Sequence, residues 1–148
     1  TLWSKWSKNE KLNNLMYRPL PNQLTIRNSA IEGLGLFSEI KINKDSFIGV
    51  THVKDETFPN SYIRTPLGGF YNHSENPNII KMGMDIFPGY EFGKTLDLNS
   101  LSTISKKNEK NFKYLFLVSL KDIDPDQELV AQYTFYQFWN IMNQSYEI

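Results

Sequence analysis

A polar segment in the middle of the chain, residues 72–78, restricts the fold more than any other feature of the sequence. It is Asn-His-Ser-Glu-Asn-Pro-Asn, and this composition does not suit the interior of an ordinary strand. Two common explanations are a polar turn, in which asparagine side chains bond to nearby backbone, and an N-glycosylation sequon at its first three residues. Residues 1–5 lack the apolar stretch of a secretory signal, so we expect an intracellular protein that is not secreted, which weakens the sequon explanation.

The rest of the chain predicts a mostly β fold. Short runs of β-branched and aromatic residues, separated by turn residues, predict strands over 24–27, 46–53, 79–87, 114–120 and 128–134. Apolar residues at helical spacing predict short helices only near the two ends, over 9–17 and 135–142. Asp124-Pro125-Asp126-Gln127 fits a type I turn with proline at its second position.

The composition excludes several classes of function. The absence of cysteine rules out disulfide frameworks and cysteine-ligated zinc or iron–sulfur sites, and with only two histidines we predict no metal site. The 16 basic and 16 acidic side chains give a formal net charge of zero, which argues against strong nucleic-acid binding and against attachment to an acidic membrane surface. A chain of 148 residues without a long apolar run is expected to form one compact domain.

Three segments carry residues that suit a binding site, although each alone is weakly specific. Gly33-Leu34-Gly35 permits unusual backbone angles and close approach of a ligand, but such turns are common. Residues 72–78 form the second segment. The third, residues 128–133, is Glu-Leu-Val-Ala-Gln-Tyr, in which Tyr133 alone is most simply a strand tyrosine.

Taken together and in this order, the three segments resemble the motifs of the SET-domain family of protein lysine methyltransferases. Residues 29–38 (SAIEGLGLFS) resemble its opening motif, residues 70–78 (FYNHSENPN) its NHSxxPN signature, and residues 123–133 (IDPDQELVAQY) its last motif. The resemblance covers residues 22–139. It implies a β-clip-like fold of small curved sheets with a C-terminal pseudoknot and few short helices.

The resemblance also divides the chain. An N-terminal arm with a short helix would occupy 1–21, the SET domain 22–142, and a C-terminal tail 143–148. Within the domain, residues 88–112 are polar and irregular, and we predict an inserted loop or hairpin there. Its lysines suit a solvated loop or, alternatively, the docking of an acidic partner.

For the site, the resemblance implies S-adenosylmethionine as methyl donor, S-adenosylhomocysteine as product, and a lysine-bearing protein or peptide as substrate. Residues that would line or hold the cofactor are Glu32, Gly33, Leu34, Gly35, Asn72, His73 and Trp139. Tyr133 matches the catalytic tyrosine of the family. Phe135 and Tyr136 are alternatives to Trp139 for covering the adenine, and core packing is the competing role of all three aromatic residues.

Departures from the family pattern leave alternatives open. Gly69 stands where many members have arginine, which makes Arg64 a candidate for that support. Ala131 stands where an aromatic residue often limits methyl transfer, which predicts di- or trimethylation. The alternative from another class is a catalytically silent SET-like module that binds a peptide or the cofactor. A third is a SET-type enzyme acting on a small amine or a non-lysine side chain. Trp3 and Trp6 are candidates for the interface of a homodimer.

Overall fold

The computed structural model describes residues 20–103 and 112–132, and within them it contains nine strands. They are β1 (Leu24–Asn28), β2 (Leu34–Ser38), β3 (Phe47–Lys54), β4 (Tyr62–Arg64), β5 (Asn72–His73), β6 (Ile79–Met84), β7 (Ser102–Thr103), β8 (Tyr114–Ser119) and β9 (Glu128–Ala131). Short 3₁₀ segments occur at Pro59–Ser61, Pro66–Gly69 and Leu98–Ser100. The helices predicted over 9–17 and 135–142 lie outside the described residues.

The strands form two small sheets. One has the order β1-β2-β9-β5 and the other the order β4-β3-β8-β6-β7. Among the described strands, β5 and β9 form the one parallel pair, with Asn72 opposite Val130 and His73 opposite Ala131. The predicted mostly β class built from small sheets is therefore confirmed. The predicted C-terminal pseudoknot depends on residues after 132, outside the described part of the chain.

All five predicted strand regions contain a strand, but their ends differ, and β2, β4, β5 and β7 were not predicted. The polar segment 72–78 was not expected to form an ordinary strand, and only its first two residues form one, β5. The strand ladder between β5 and β9 is formed by backbone atoms, so the polarity of the Asn72 and His73 side chains does not prevent the pairing.

The predicted turn at 124–127 is present but is not of type I. Gln127 N donates to Asp124 O at 3.2 Å, whereas Asp126 in the third position has a φ of 67°. A positive φ at this position is typical of a type II turn. Two contacts hold Asp126 there: its backbone N–H donates to Ser38 O at 2.7 Å, and its carboxylate accepts from Arg27 Nη1 at 2.6 Å.

A first hydrophobic core joins the two sheets. Leu36 of β2 and Leu129 of β9 pack with Ile48, Ile79 and Leu117 of the larger sheet, and all of them are almost completely buried. Burial of such side chains is worth about 1.5–3 kcal/mol each. This core fixes the smaller sheet, which carries all three motif segments, against the larger one.

A second core covers the opposite face of the larger sheet, because side chains alternate along each strand. Phe116 and Val118 of β8 pack there with Phe47 and Met82, and Leu96 from the predicted insertion closes the cluster. The insertion also bonds to the start of β3: Gly93 N donates to Phe47 O, and Phe47 N donates to Lys94 O, both at 2.8 Å. The described part of residues 88–112 is therefore partly packed against the sheet.

Candidate functional site

The loop between β1 and β2 is shaped by Ser29 and by two glycines. The Ser29 hydroxyl accepts hydrogen bonds from the backbone N–H groups of Ile31 at 2.9 Å and Glu32 at 3.3 Å, and Ser29 N donates to Gly33 O at 2.8 Å. Gly33 has a φ of 49°, which favours glycine, and a Cβ built there would meet nothing within 4 Å. The loop therefore turns back with its backbone open to the surroundings at Gly33.

Asn72 joins this loop to the strand pair β5–β9. Its Nδ2 atom lies 3.2 Å from Glu32 O, 3.1 Å from Leu34 O and 2.8 Å from Glu128 Oε2. All three neighbours are acceptors, so the network itself assigns the amide nitrogen to this position. Asn72 thus holds the backbone of the β1–β2 loop from the side of the polar segment.

Glu128, the first residue of β9, completes the connection. Its carboxylate accepts from the Ser29 hydroxyl at 2.8 and 3.0 Å as well as from Asn72. Gly35 makes room for it, because a Cβ at Gly35 would overlap Glu128 Oε2. The second glycine of the Gly33-Leu34-Gly35 turn is therefore explained by close approach, whereas the first is explained by its backbone angle.

Asn78 anchors the far end of the polar segment. Its side chain is 3% exposed, and it accepts from Val130 N and donates to Glu128 O, each at 2.8 Å. Its backbone N–H also donates to Val130 O, and its backbone carbonyl accepts from Leu120 N. A buried amide whose hydrogen bonds are satisfied in this way fixes one register between residues 72–78 and β9.

Beside these contacts lies an open cavity of about 370 Å³, lined within the described residues by Ile31, Glu32, Asn72 and His73. An apolar side chain, a carboxylate, an amide and an imidazole thus face one concave surface, where the three polar groups could orient a small molecule. None of these four side chains is completely buried. A ligand could therefore reach all of them from solvent.

A second cavity of about 450 Å³ lies where the insertion begins. It is lined by Met84, Asp85, Ile86, Phe87, Gly89 and Tyr90, and its one carboxylate, on Asp85, accepts from Lys113 N at 3.2 Å. This surface offers few polar groups for orienting a ligand, and none of the six predicted site residues within the described part of the chain lines it. We therefore take the first cavity as the candidate site.

The basic groups of the larger sheet lie in a different environment. His52 is packed edge-on against Tyr62, and its pKa is lowered to about 4 by burial, by the charge of Lys81 and by that of Arg64. His52 is therefore neutral near pH 7. Arg64, the candidate for supporting the β1–β2 loop, lies against Gly68 and Gly69. The hydrogen bonds that hold this loop come from Ser29, Asn72 and Glu128.

The structure brings six of the eight predicted site residues into one neighbourhood. Glu32, Gly33, Leu34 and Gly35 form the loop, and Asn72 and His73 face it from β5. Tyr133 and Trp139 lie outside the described residues. In residues 20–103 and 112–132, no three histidine or acidic side chains are grouped as metal ligands, and no helix is long and apolar enough to cross a bilayer.

Sequence reasoning gave no role to Ser29, Ile31 or Glu128. Ser29 and Glu128 both lie inside the quoted motifs, but their contact joins positions 99 apart in the sequence. The signal that could have pointed to Glu128 is a carboxylate placed directly before the apolar residues of a buried strand. Such a position requires polar partners, which Ser29 and Asn72 provide.

No protein-family model and no curated protein matches the sequence. Among solved structures, the chain is similar to a "putative histone methyltransferase" of Plasmodium falciparum, with a TM-score of 0.49 and 20% sequence identity. The superposition covers 74% of this chain and 96% of that chain.

Proposed function

We propose that this protein is an S-adenosylmethionine-dependent protein lysine N-methyltransferase of the SET type. The observation that carries the proposal is the meeting of three distant segments, residues 29–35, 72–73 and 128–131, through the contacts of Asn72 and Glu128, beside a cavity that the first two segments line. These are the three segments in which the sequence resembles the SET motifs. Tyr133, the proposed catalytic residue, comes two residues after Ala131, which lies opposite His73.

The residues present fit the proposed cofactor. The cavity volume of about 370 Å³ lies within the range of small-molecule sites. The open backbone at Gly33 and the side chains of Glu32 and Asn72 suit the amino-acid portion, which is charged, while Ile31 and His73 suit the less polar adenosine. The negative charge of the Glu32 carboxylate also suits the cofactor, because the cofactor carries cationic groups.

When bound, S-adenosylmethionine supplies a methyl group that is activated by its sulfonium sulfur. The enzyme must then hold the lysine amine of its substrate in a neutral form and in the correct orientation. Lysine has an ordinary pKa near 10.4, and transfer into a poorly solvated channel beside a positive charge disfavours its ammonium form. Tyr133 would orient this amine through its hydroxyl oxygen; as a phenol with an ordinary pKa near 10, it is a poor general base at neutral pH.

The test is incubation of the purified protein with methyl-labelled S-adenosylmethionine and mixed histones, ribosomal proteins or cell extract. We expect label on lysine side chains and a loss of roughly 100-fold in the rate for Tyr133→Phe, because a small misplacement of a reacting group has an effect of this size. Tyr90→Phe removes a hydroxyl from the rim of the second cavity and is the matched control, expected to keep the parental rate.

The outcomes separate the three candidate functions. Label transferred to proteins by the parent and lost in Tyr133→Phe supports the methyltransferase. Cofactor binding without any transfer supports a silent SET-like module. Transfer to small amines but not to proteins supports an enzyme with a different acceptor pocket, and label that survives unchanged in Tyr133→Phe contradicts the role of this tyrosine.

A further inference from the structure

Glu128 is the residue through which the two halves of the proposed cofactor site are connected, yet it does not line the cavity itself. It is half-buried at the start of β9, and its carboxylate contacts Ser29 at the base of the β1–β2 loop and Asn72 on β5. Any group that binds against Glu32 and Asn72 therefore depends on a contact that Glu128 makes behind them.

An account of donors and acceptors shows why a carboxylate is needed there. The oxygen of Ser29 already accepts from the N–H groups of Ile31 and Glu32, so its single proton is directed to Glu128. Asn72 also presents a donor, its Nδ2 atom. Glu128 accepts from Ser29 at both carboxylate oxygens and from Asn72 at Oε2, whereas an amide of the same shape would place a donor nitrogen against either the Ser29 hydroxyl or Asn72 Nδ2.

Gly35 shows that the space around this carboxylate is limited. A Cβ there would overlap Glu128 Oε2 and come within 3.1 Å of the Ser29 Cβ. The carboxylate therefore cannot keep its two contacts if position 35 carries a side chain, and the loop, the glycine and the glutamate form one packed unit. This unit holds the Ile31 and Glu32 backbone in the conformation that faces the cavity.

We propose that Glu128 is a positioning residue for cofactor binding: its carboxylate orders the loop 29–35 against Asn72 and so determines the affinity for S-adenosylmethionine. The inference rests on the proposed function, because the affinity is that of the proposed cofactor. It assigns Glu128 no contact with the reacting atoms. Its effect on catalysis is therefore expected in the KM for the cofactor and not in kcat.

The experiment compares the parent with Glu128→Gln, Ser29→Ala and the control Glu39→Gln, in which an exposed glutamate is changed. In the ligand-free proteins, hydrogen exchange at the amides of residues 31 and 32 reports loop order. We expect exchange to rise about tenfold in Glu128→Gln, because the loop loses its hydrogen bond to the carboxylate, and to stay unchanged in the control. Exchange should rise at least as much in Ser29→Ala, which also removes the acceptor of these two amides.

The same variants are then titrated with S-adenosylhomocysteine and assayed with S-adenosylmethionine. For Glu128→Gln we expect Kd and the cofactor KM to rise about tenfold, with kcat at saturating cofactor within roughly threefold of the parent. Ser29→Ala combined with Glu128→Gln should lose less than the sum of the two single variants, because both remove the contact between Ser29 and Glu128.

The outcomes distinguish this inference from the proposed function. A parent that binds no S-adenosylhomocysteine contradicts the proposed function, and with it the effect of Glu128 on affinity. A parent that binds it, together with unchanged loop exchange and unchanged Kd in Glu128→Gln, overturns the role of Glu128. So does a lower melting temperature with an unchanged cofactor KM, since that pattern belongs to a residue that only stabilises the fold.

Discussion

The two sheets of this protein are held together by different interactions. The larger sheet has apolar clusters on both faces, and Phe116, Leu117 and Val118 in its centre are completely buried. The smaller sheet shares one of these clusters, but the end that carries the β1–β2 loop is held by polar contacts of Ser29, Asn72 and Glu128. Non-directional burial therefore stabilises the scaffold, and directional hydrogen bonds shape the candidate site.

This contrast has a consequence for substitutions. Loss of a buried apolar side chain should reduce the free energy of unfolding and leave ligand affinity in the folded fraction unchanged. Loss of a polar contact at the loop should weaken ligand binding and change the free energy of unfolding only a little. The two regions are independent only if a core substitution leaves ligand affinity unchanged and a loop substitution leaves stability nearly unchanged. The following substitutions test this.

The largest effect is expected from Phe116→Ala. Phe116 is completely buried and packs against Phe47, with ring centroids 5.6 Å apart. Removing the ring leaves a cavity in the second core, so the free energy of unfolding should fall by about 3–5 kcal/mol in denaturant titrations. Below the unfolding transition, the affinity for S-adenosylhomocysteine should equal that of the parent. A large loss of affinity in the folded variant would show that the two regions are coupled.

A smaller effect is expected from the titration of His52 in the larger sheet. Its pKa in the folded protein is lowered from 6.5 to about 4, so between these values the unfolded chain binds a proton that the folded protein does not. Stability should therefore fall as the pH decreases through this window, by up to about 1.4 kcal/mol per pH unit and about 3 kcal/mol in total.

His52→Gln removes this titration. Its free energy of unfolding, measured between pH 7 and pH 4, should show a shallower decrease than that of the parent, since the carboxylates titrate in both. Equal slopes in parent and variant would mean that His52 is protonated in the folded state despite Lys81 and Arg64 nearby.

Asn72→Ala should have the smallest effect on stability and a specific effect on binding. The variant loses the contacts of Nδ2 with Glu32 O, Leu34 O and Glu128 Oε2, all in a partly exposed region. We expect Kd for S-adenosylhomocysteine to rise about tenfold or more, with a change in the free energy of unfolding of about 1 kcal/mol. Asn76→Ala, in the same polar segment but outside the cavity lining, is the matched control. Equal affinities of the two variants would contradict the site.

The sequence predicts the three central strands of the larger sheet, β3, β8 and β6, but misses its edge strands β4 and β7; of the smaller sheet it predicts β1 and β9. β3, β6 and β8 each contain several β-branched or aromatic residues, many of them buried, and this composition is visible without a structure. β5 has no such signal. Its two residues pair with β9 across 58 positions of sequence through backbone atoms, and local composition carries no information about such a partner.

The same distinction applies to the site and to the insertion. The motifs locate Gly33 and Asn72, whose roles depend on backbone angle and amide chemistry that the residue type itself supplies. The contact of Ser29 with Glu128 could not be predicted, since it depends on how two distant strands come together. The packing of Leu96 on the second core was also not predicted, because the residues around Leu96 are mostly polar and show no hydrophobic periodicity.

The most direct test of the account is an NMR titration of the isotope-labelled protein with S-adenosylhomocysteine, which reports the location of binding residue by residue. The account predicts saturable shifts at the amides of residues 31–35 and 72–73, around the cavity lined by Glu32 and Asn72. Saturable shifts confined to residues 84–90, around the second cavity, or no shifts at any ligand concentration, would contradict it.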